Sequence, residues 1–413
     1  MEESDLGELT LDRSESGSAS QYESLVLFED RAAAVLPGFA LSADNEIVVA
    51  RLCQRLDGLP LAIELAAARV RSLSVEQILD RLEDRYQLLT RGSRAAQPRH
   101  QTLRATVEWS YELCSKLERT LWARCSVFAG EFDLEAGEMV GAGDGLTADD
   151  VFAGVASLVD KSILTRGTGG PRTRYYMLEM IRQYGHDRLV ERDDLTAVQR
   201  RHRDHYLRLM EQGEAEWFGP HQPEWLDRFR AERRNLWAAL DFSFTEPGEV
   251  RTGLRMVGAM GWCWTGSGVV RLGRNWLDRA LALDTEPSRE RAKALWLVGW
   301  LALNQGDIPY ALSVLEECCQ LARRLGDLTD LAYGTQFMGR ARTLRNQLPD
   351  ALALLEHARA RHRASGELNS VTTLGLYQCG MAPSLLGDVA RAVGYFEECA
   401  AVCEAHGERW SRS

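Results

Sequence analysis

The sequence predicts a mainly α protein. A helical domain comes first, then helices interrupted by one small β-hairpin, then an α-solenoid of repeated helix pairs. Three observations carry this. Apolar residues recur with the helical period along most of the chain, punctuated by cap signals. A single Gly/Pro-rich turn, residues 167–171, separates two short runs of β character. Finally, the segments 304–327, 344–367 and 385–408 repeat one pattern, with Ala311, Ala351 and Ala392 in register at periods of 40 and 41.

Residues 1–24 carry seven acidic residues against a single Arg13, with six serines between them, which is the composition of a disordered tail. Helical periodicity starts near Tyr22 and breaks at Pro37 and Gly38. A second helix, roughly 43–57, places Val48, Leu52 and Leu56 on one face. It stops at Gly58, which suits a left-handed C′ position, and Pro60 suits the first turn of the next helix. That next helix is Ala-rich and apolar almost all round, so it belongs at the centre of residues 25–95. Ser74 and Gln77 form a capping box for another helix running through Leu89.

Residues 96–195 read as two amphipathic helices broken at Ser115, a third capped by Thr147 and Asp150, a hairpin of 163–165 with 175–177, and a closing helix. Three helices, a hairpin with a flexible tip and a final helix make a winged-helix plan. Gly167 to Pro171 precedes a strand rather than a helix N-terminus, so it is a wing turn and not a phosphate loop. Residues 196–264 read as a helical connector. From 265 to 413 each repeat unit has a polar or Gly turn, an Ala-Leu-x-x-Leu-Glu-like core and a closing Gly-Asp or Gly-Glu. These are helix pairs of tetratricopeptide type in an elongated variety. The segment 267–284 is a degenerate first copy. The chain stops where a further helix should begin, so the last repeat is expected to expose an apolar face.

Composition excludes several functions. In 413 residues, 49 Lys+Arg stand against 60 Asp+Glu, a formal charge of −11, which argues against nucleic acid as a bulk partner. No apolar run is long enough to span a bilayer, and the acidic N-terminus has no signal-peptide pattern. Only three basic residues are lysines (Lys116, Lys161 and Lys293), and none follows a Gly-rich turn, so no Walker-type phosphate loop is present in this sequence. The nine cysteines contain no C-x-x-C pair and read as buried free thiols of a reducing cytoplasm. His202 and His205 lie three apart, as two metal ligands could, but the surrounding arginines suggest a solvated face. No metal site is expected. The Gly266-x-Gly268 run follows an aromatic segment rather than a strand and carries no dinucleotide fingerprint. No nucleophile–base pair is visible, so the chain is not read as an enzyme.

The stretch 53–114 resembles one family. It is similar to the bacterial signal-transduction ATPases with numerous domains, in particular the NB-ARC-type ATPases joined to actinobacterial transcriptional regulators of the LuxR and antibiotic-regulatory (SARP) kinds. The resemblance continues through 121–138, 158–164, 175–189 and 231–240 and runs into the repeats. It implies a nucleotide switch: a P-loop domain binds ATP or ADP, helical and winged-helix domains close over it, and the repeats sense a ligand or protein. Opening permits self-association and frees a DNA-binding output domain. The family's Gly-Leu-Pro motif falls on Gly58, Leu59 and Pro60, with Pro60 expected beside the adenine. Its Met-His-Asp motif falls on Met177, Leu178 and Glu179. The sequence departs there, because Leu178 cannot hydrogen-bond a phosphate.

The expectation is therefore the regulatory and protein-interaction portion of such an ATPase, with an incomplete nucleotide switch and no cofactor of its own. ATP or ADP would belong to a full-length relative. A protein or peptide partner is expected on the repeat surface, with no membrane contact and no direct DNA contact. The alternatives are a DNA-binding winged-helix regulator using Arg166, Arg172 and Arg174, or a free-standing repeat scaffold.

Overall fold

The computed structural model describes residues 15–42, 45–56, 58–90, 98–167 and 172–411, with side chains over the same segments except 15–22 and 83–103. Two compact units result, one up to Val198 and one from Gln199. The mainly α class is what is observed.

The first unit opens with α1 (Glu15–Val35), α2 (Glu46–Arg55), α3 (Pro60–Ala67), α4 (Val75–Thr90) and α5 (Pro98–Glu112). Phe28, Leu52, Leu56, Ile63 and Ile78 share one fully buried core closed by Trp109. Each such side chain contributes about 1.5–3 kcal/mol through burial. Val49 rather than Val48 takes the central position on α2, and Val48 packs at its margin. The capping box at the head of α4 forms as read: the Gln77 N–H donates to Ser74 Oγ at 3.3 Å, and the Ser74 N–H to Gln77 Oε1 at 3.0 Å. One expectation is corrected. α1 already runs from Glu15, so residues 15–24 are helix rather than tail. Once the packed turns around Phe28 nucleate a helix, each added N-terminal residue gains a backbone hydrogen bond, and composition alone does not register that cooperativity.

The rest of this unit comprises α6 (Lys116–Cys125), β1 (Phe132–Asp133), α7 (Leu134–Gly141), α8 (Ala148–Asp160), β2 (Thr165–Arg166), β3 (Arg174–Tyr176) and α9 (Glu179–Glu191). Ser115 and Thr147 cap α6 and α8 through full capping boxes. The hairpin pairs Thr165 with Tyr176, and β1 adds a third antiparallel strand against β3 through Phe132 and Tyr175, in the order β1-β3-β2. Residues 168–171 of the turn lie outside the described residues. α8 approaches α6 closely at Gly154, where a Cβ would stand 2.6 Å from a Leu121 methyl.

The second unit is helical throughout its described residues. α10 (Leu195–Glu216) crosses the boundary, and α11 (Gln222–Thr245), α12 (Val250–Ala259), α13 (Gly261–Gly266) and α14 (Val270–Leu283) follow. Next come the pairs α15 (Arg289–Asn304) with α16 (Ile308–Leu325), α17 (Leu328–Leu344) with α18 (Leu348–Ser365), and α19 (Ser370–Leu386) with α20 (Val389–His406). The repeat signature does the work its chemistry suggests. Ala311, Ala351 and Ala392 are buried where neighbouring helices meet. Gly326, Gly366 and Gly407 close α16, α18 and α20 in the left-handed conformation, at φ of 68°, 72° and 67°. Asp307, Asp327, Asn369 and Asp388 cap the helices that follow the turns. An apolar edge is exposed on the last pair at Leu385, Leu386, Val389 and Val393. After α20, residues 408–410 turn back onto α11. Glu408, almost fully buried, accepts from Gln222 Nε2 at 2.9 Å and from Ser370 Oγ at 3.1 Å. Gln222 Oε1 in turn accepts from the backbone N–H groups of Arg409 and Trp410.

Candidate functional site: an aromatic cavity in the repeat unit

The residues singled out by motif are placed as follows. Gly58 has φ +63°, and its N–H donates to the Cys53 carbonyl at 3.0 Å, which ends α2. Leu59 is the N-cap of α3 and packs on the helical core, and Pro60 is its exposed first residue. Met177 is half-buried after β3, Leu178 is the N-cap of α9, and Glu179 is exposed. The Glu179 carboxylate takes two hydrogen bonds from Arg182, at 2.7 and 3.0 Å, and these hold its pKa below the usual range. Both motifs therefore have local structural work in caps and ion pairs. Two of the three wing arginines face carboxylates: Arg172 meets Asp133 at 3.6 Å, and Arg174 meets Glu131 at 3.4 Å.

The solvated reading of His202 and His205 is corrected. Both are buried, with their rings packed on Tyr206 at 4.7 and 4.9 Å. Burial, with His205 beside it, drives the His202 pKa down to about 3, so it is neutral. The arginine-rich context misled because Arg203 itself is buried and paired with Glu249. No cluster among the described residues could hold a metal ion. All nine cysteines are free and buried, as read.

The feature with the geometry of a binding site lies elsewhere. A cavity of about 300 Å³ opens among six separated segments of the second unit. Its apolar walls are Trp217, Trp262, Trp296, Trp300, Tyr333 and Trp410. Helical spacing assembles one side: Lys293, Trp296 and Trp300 follow one another at three and four residues along one face of α15. Trp217 and Trp262 stack at 4.8 Å between ring centres, Trp296 stacks on Tyr333 at 4.7 Å, and Trp300 meets Trp410 edge-on at 5.9 Å. The lining also carries Glu214, Asp330 and Glu367 against the single cation Lys293.

The polar groups are partly committed. Lys293 Nζ pairs with Glu214 at 2.6 Å. Glu367 accepts from Tyr333 Oη at 3.0 Å and from Asn369 Nδ2 at 3.2 Å. Asp330, in the first turn of α17 and buried, accepts from Trp296 Nε1 at 2.9 Å. Burial pushes its carboxyl up to about 7, and the neighbouring Asp327 carboxylate adds to the shift; Trp296, Lys293 and Arg289 pull against it. The Trp262 indole N–H is buried with no hydrogen-bond partner among the described residues. Such a group normally finds an acceptor, at a cost of roughly 1–3 kcal/mol when it does not. The sequence marked 256–265 as aromatic but gave no sign of a cavity, because its walls are separated by up to about 200 residues.

No family model matches the chain. A Mycobacterium tuberculosis protein (strain ATCC 25618 / H37Rv), named as an HTH-type transcriptional regulator, is 32% identical over 397 residues, covering 94% of this chain and 44% of that protein. An uncharacterized protein of the same strain is 42% identical over 184 residues, 44% of this chain and 47% of its own length. The chain thus spans less than half the length of these curated relatives. Among solved structures, a signal-transduction ATPase with numerous domains carrying a tetratricopeptide repeat sensor, from Pyrococcus horikoshii, matches with a TM-score of 0.51 at 12% identity. That match covers 95% of this chain and 54% of the other. It establishes likeness of fold.

Proposed function

We propose that the chain is the regulatory and sensing portion of a transcription regulator of the signal-transduction ATPase kind, in which the repeat unit receives a ligand or partner and the chain itself performs no catalysis. The carrying observation is the aromatic cavity, built by helices of a repeat unit and bearing buried polar groups not fully paired. Similarity along nearly the whole chain to a protein named as a transcriptional regulator supports the regulatory part of this reading. The NB-ARC kinship rests on the Gly58–Pro60 and Met177–Glu179 motifs, which would form a lid over nucleotide in a longer protein. Direct DNA reading by the wing is the less supported alternative, since Arg172 and Arg174 already face carboxylates.

Two measurements test this. Calorimetric titration of the chain with ATP-Mg or ADP should show no binding tighter than about 100 μM, because no phosphate loop is present in the sequence; nanomolar binding would refute the non-catalytic reading. A thermal-shift screen of small metabolites should give hits whose shifts vanish in Trp410→Ala. Hits indifferent to that substitution would place sensing outside the cavity.

A further inference from the structure

We infer that the aromatic cavity is a site for a small organic cation, with Asp330 as its counter-ion. This rests on the sensing reading above and specifies the ligand class for the same site.

Four observations converge. The walls are aromatic faces, which attract alkylammonium and guanidinium groups through the ring quadrupole, most strongly when water is excluded. The charge left over is negative: Lys293 is taken up by Glu214, which leaves Asp330 and Glu367 against no cation of the lining. Of these two, Glu367 already receives hydrogen bonds from Tyr333 and Asn369, whereas Asp330 receives one, from Trp296. An ionised carboxylate has about four acceptor positions, so Asp330 keeps capacity for a charged donor or a closely packed ammonium. An anion in the same space would meet the acidic side chains of Glu214, Asp330 and Glu367. The volume, about 300 Å³, is at the small end of ligand cavities and too small for a folded partner segment.

The charges that bear on Asp330 are Asp327 at the head of its own helix and Lys293 and Arg289 from α15; Glu214, at the end of α10, lines the same cavity. A bound cation would hold the Asp330 carboxylate ionised and release a proton, so its affinity should rise as pH increases through neutrality.

The test uses the full chain and four cations, namely tetramethylammonium, choline, agmatine and spermidine, with 3,3-dimethylbutan-1-ol as the uncharged isostere of choline. At least one cation should bind with a Kd of about 1 mM or tighter and quench tryptophan emission. Choline should bind at least about tenfold more tightly than its isostere. Asp330→Asn, which keeps an acceptor for Trp296, should weaken cation binding by about tenfold or more. The assignment fails if none of the four cations binds, if the isostere matches choline, or if Asp330→Asn leaves affinity unchanged. Should a neutral or anionic metabolite instead give a Trp410-dependent shift, the ligand class falls while the sensing reading stands. If no small molecule registers, the ligand class and the cavity's sensing role both fall.

Discussion

Trp122 in the first unit and Trp262 in the second are both buried tryptophans, and their surroundings differ in kind. Trp122 is fully enclosed, packs edge-on against Tyr111, and its indole N–H donates to the Ile181 carbonyl at 2.9 Å. Trp262 is nearly as buried, yet its N–H meets no acceptor. The first is part of a filled core, where its own N–H has an acceptor and removal leaves a hole. The second borders a space. The first unit uses its aromatics to hold itself together, and the second uses part of its set to leave a lined recess.

Substitutions can break or sharpen this contrast. The largest expected effect is Trp122→Ala, which should cost the first unit about 3–5 kcal/mol, read as a loss of its cooperative transition in denaturant. Charged groups come next, and the two units should respond to pH with opposite sign. Glu118 of the first unit is pushed upward by burial, but hydrogen bonds from Lys161, Ser157 and the Ser115 N–H outweigh this and hold it at about 2. Its contribution is complete above its ordinary 4.5 and is lost as pH falls from there toward 2. Glu118→Gln should cost about 2 kcal/mol at neutral pH and remove that acid sensitivity. Asp330 behaves in reverse. The folded chain keeps a proton that the unfolded chain releases above 3.8, so stability declines as pH rises from about 4 to about 7 and then levels. Asp330→Asn should make the second unit more stable at pH 8, on the order of 2 kcal/mol, with denaturant midpoints across pH as the measure. The smallest effect is the conservative pair. Trp122→Phe removes a buried hydrogen bond to the Ile181 carbonyl and should cost about 1 kcal/mol beyond its volume change, whereas Trp262→Phe loses no hydrogen bond and should cost less. Equal costs would dissolve the contrast.

The parts of this architecture that were legible in the sequence are those whose causes are local. Ser74, Ser115 and Thr147 announce helix starts because a cap is a contact across three residues. The Ala and Gly positions of the repeats announce themselves because stacking imposes the same small-residue requirement on every copy. What escaped has non-local causes. β1 is two residues long and exists only because β3 passes beside it. His202 and His205 look solvated beside Arg201 and Arg203, and only the docked helices show that this face is covered. The cavity is the extreme case, since none of its tryptophans is unusual until Glu214, Trp262, Asp330 and Trp410 stand around one space. The motif residues Gly58, Leu59 and Pro60 were legible as a helix stop and start, which is how they are used in this structure.

The contact between Gln222 and Glu408 joins positions 186 residues apart. A stack of helix pairs in which each touches only its neighbours is a chain of links, and such a chain comes apart from whichever end is loose. Fastening α11 to the segment after α20 turns the row of links into a loop, so the α19–α20 pair is held by α11 as well as by the pair before it. Melting should then run through the whole ring in one step rather than pair by pair. That ring is closed by one side-chain amide, Gln222, which holds Glu408 and the backbone of Arg409 and Trp410 together.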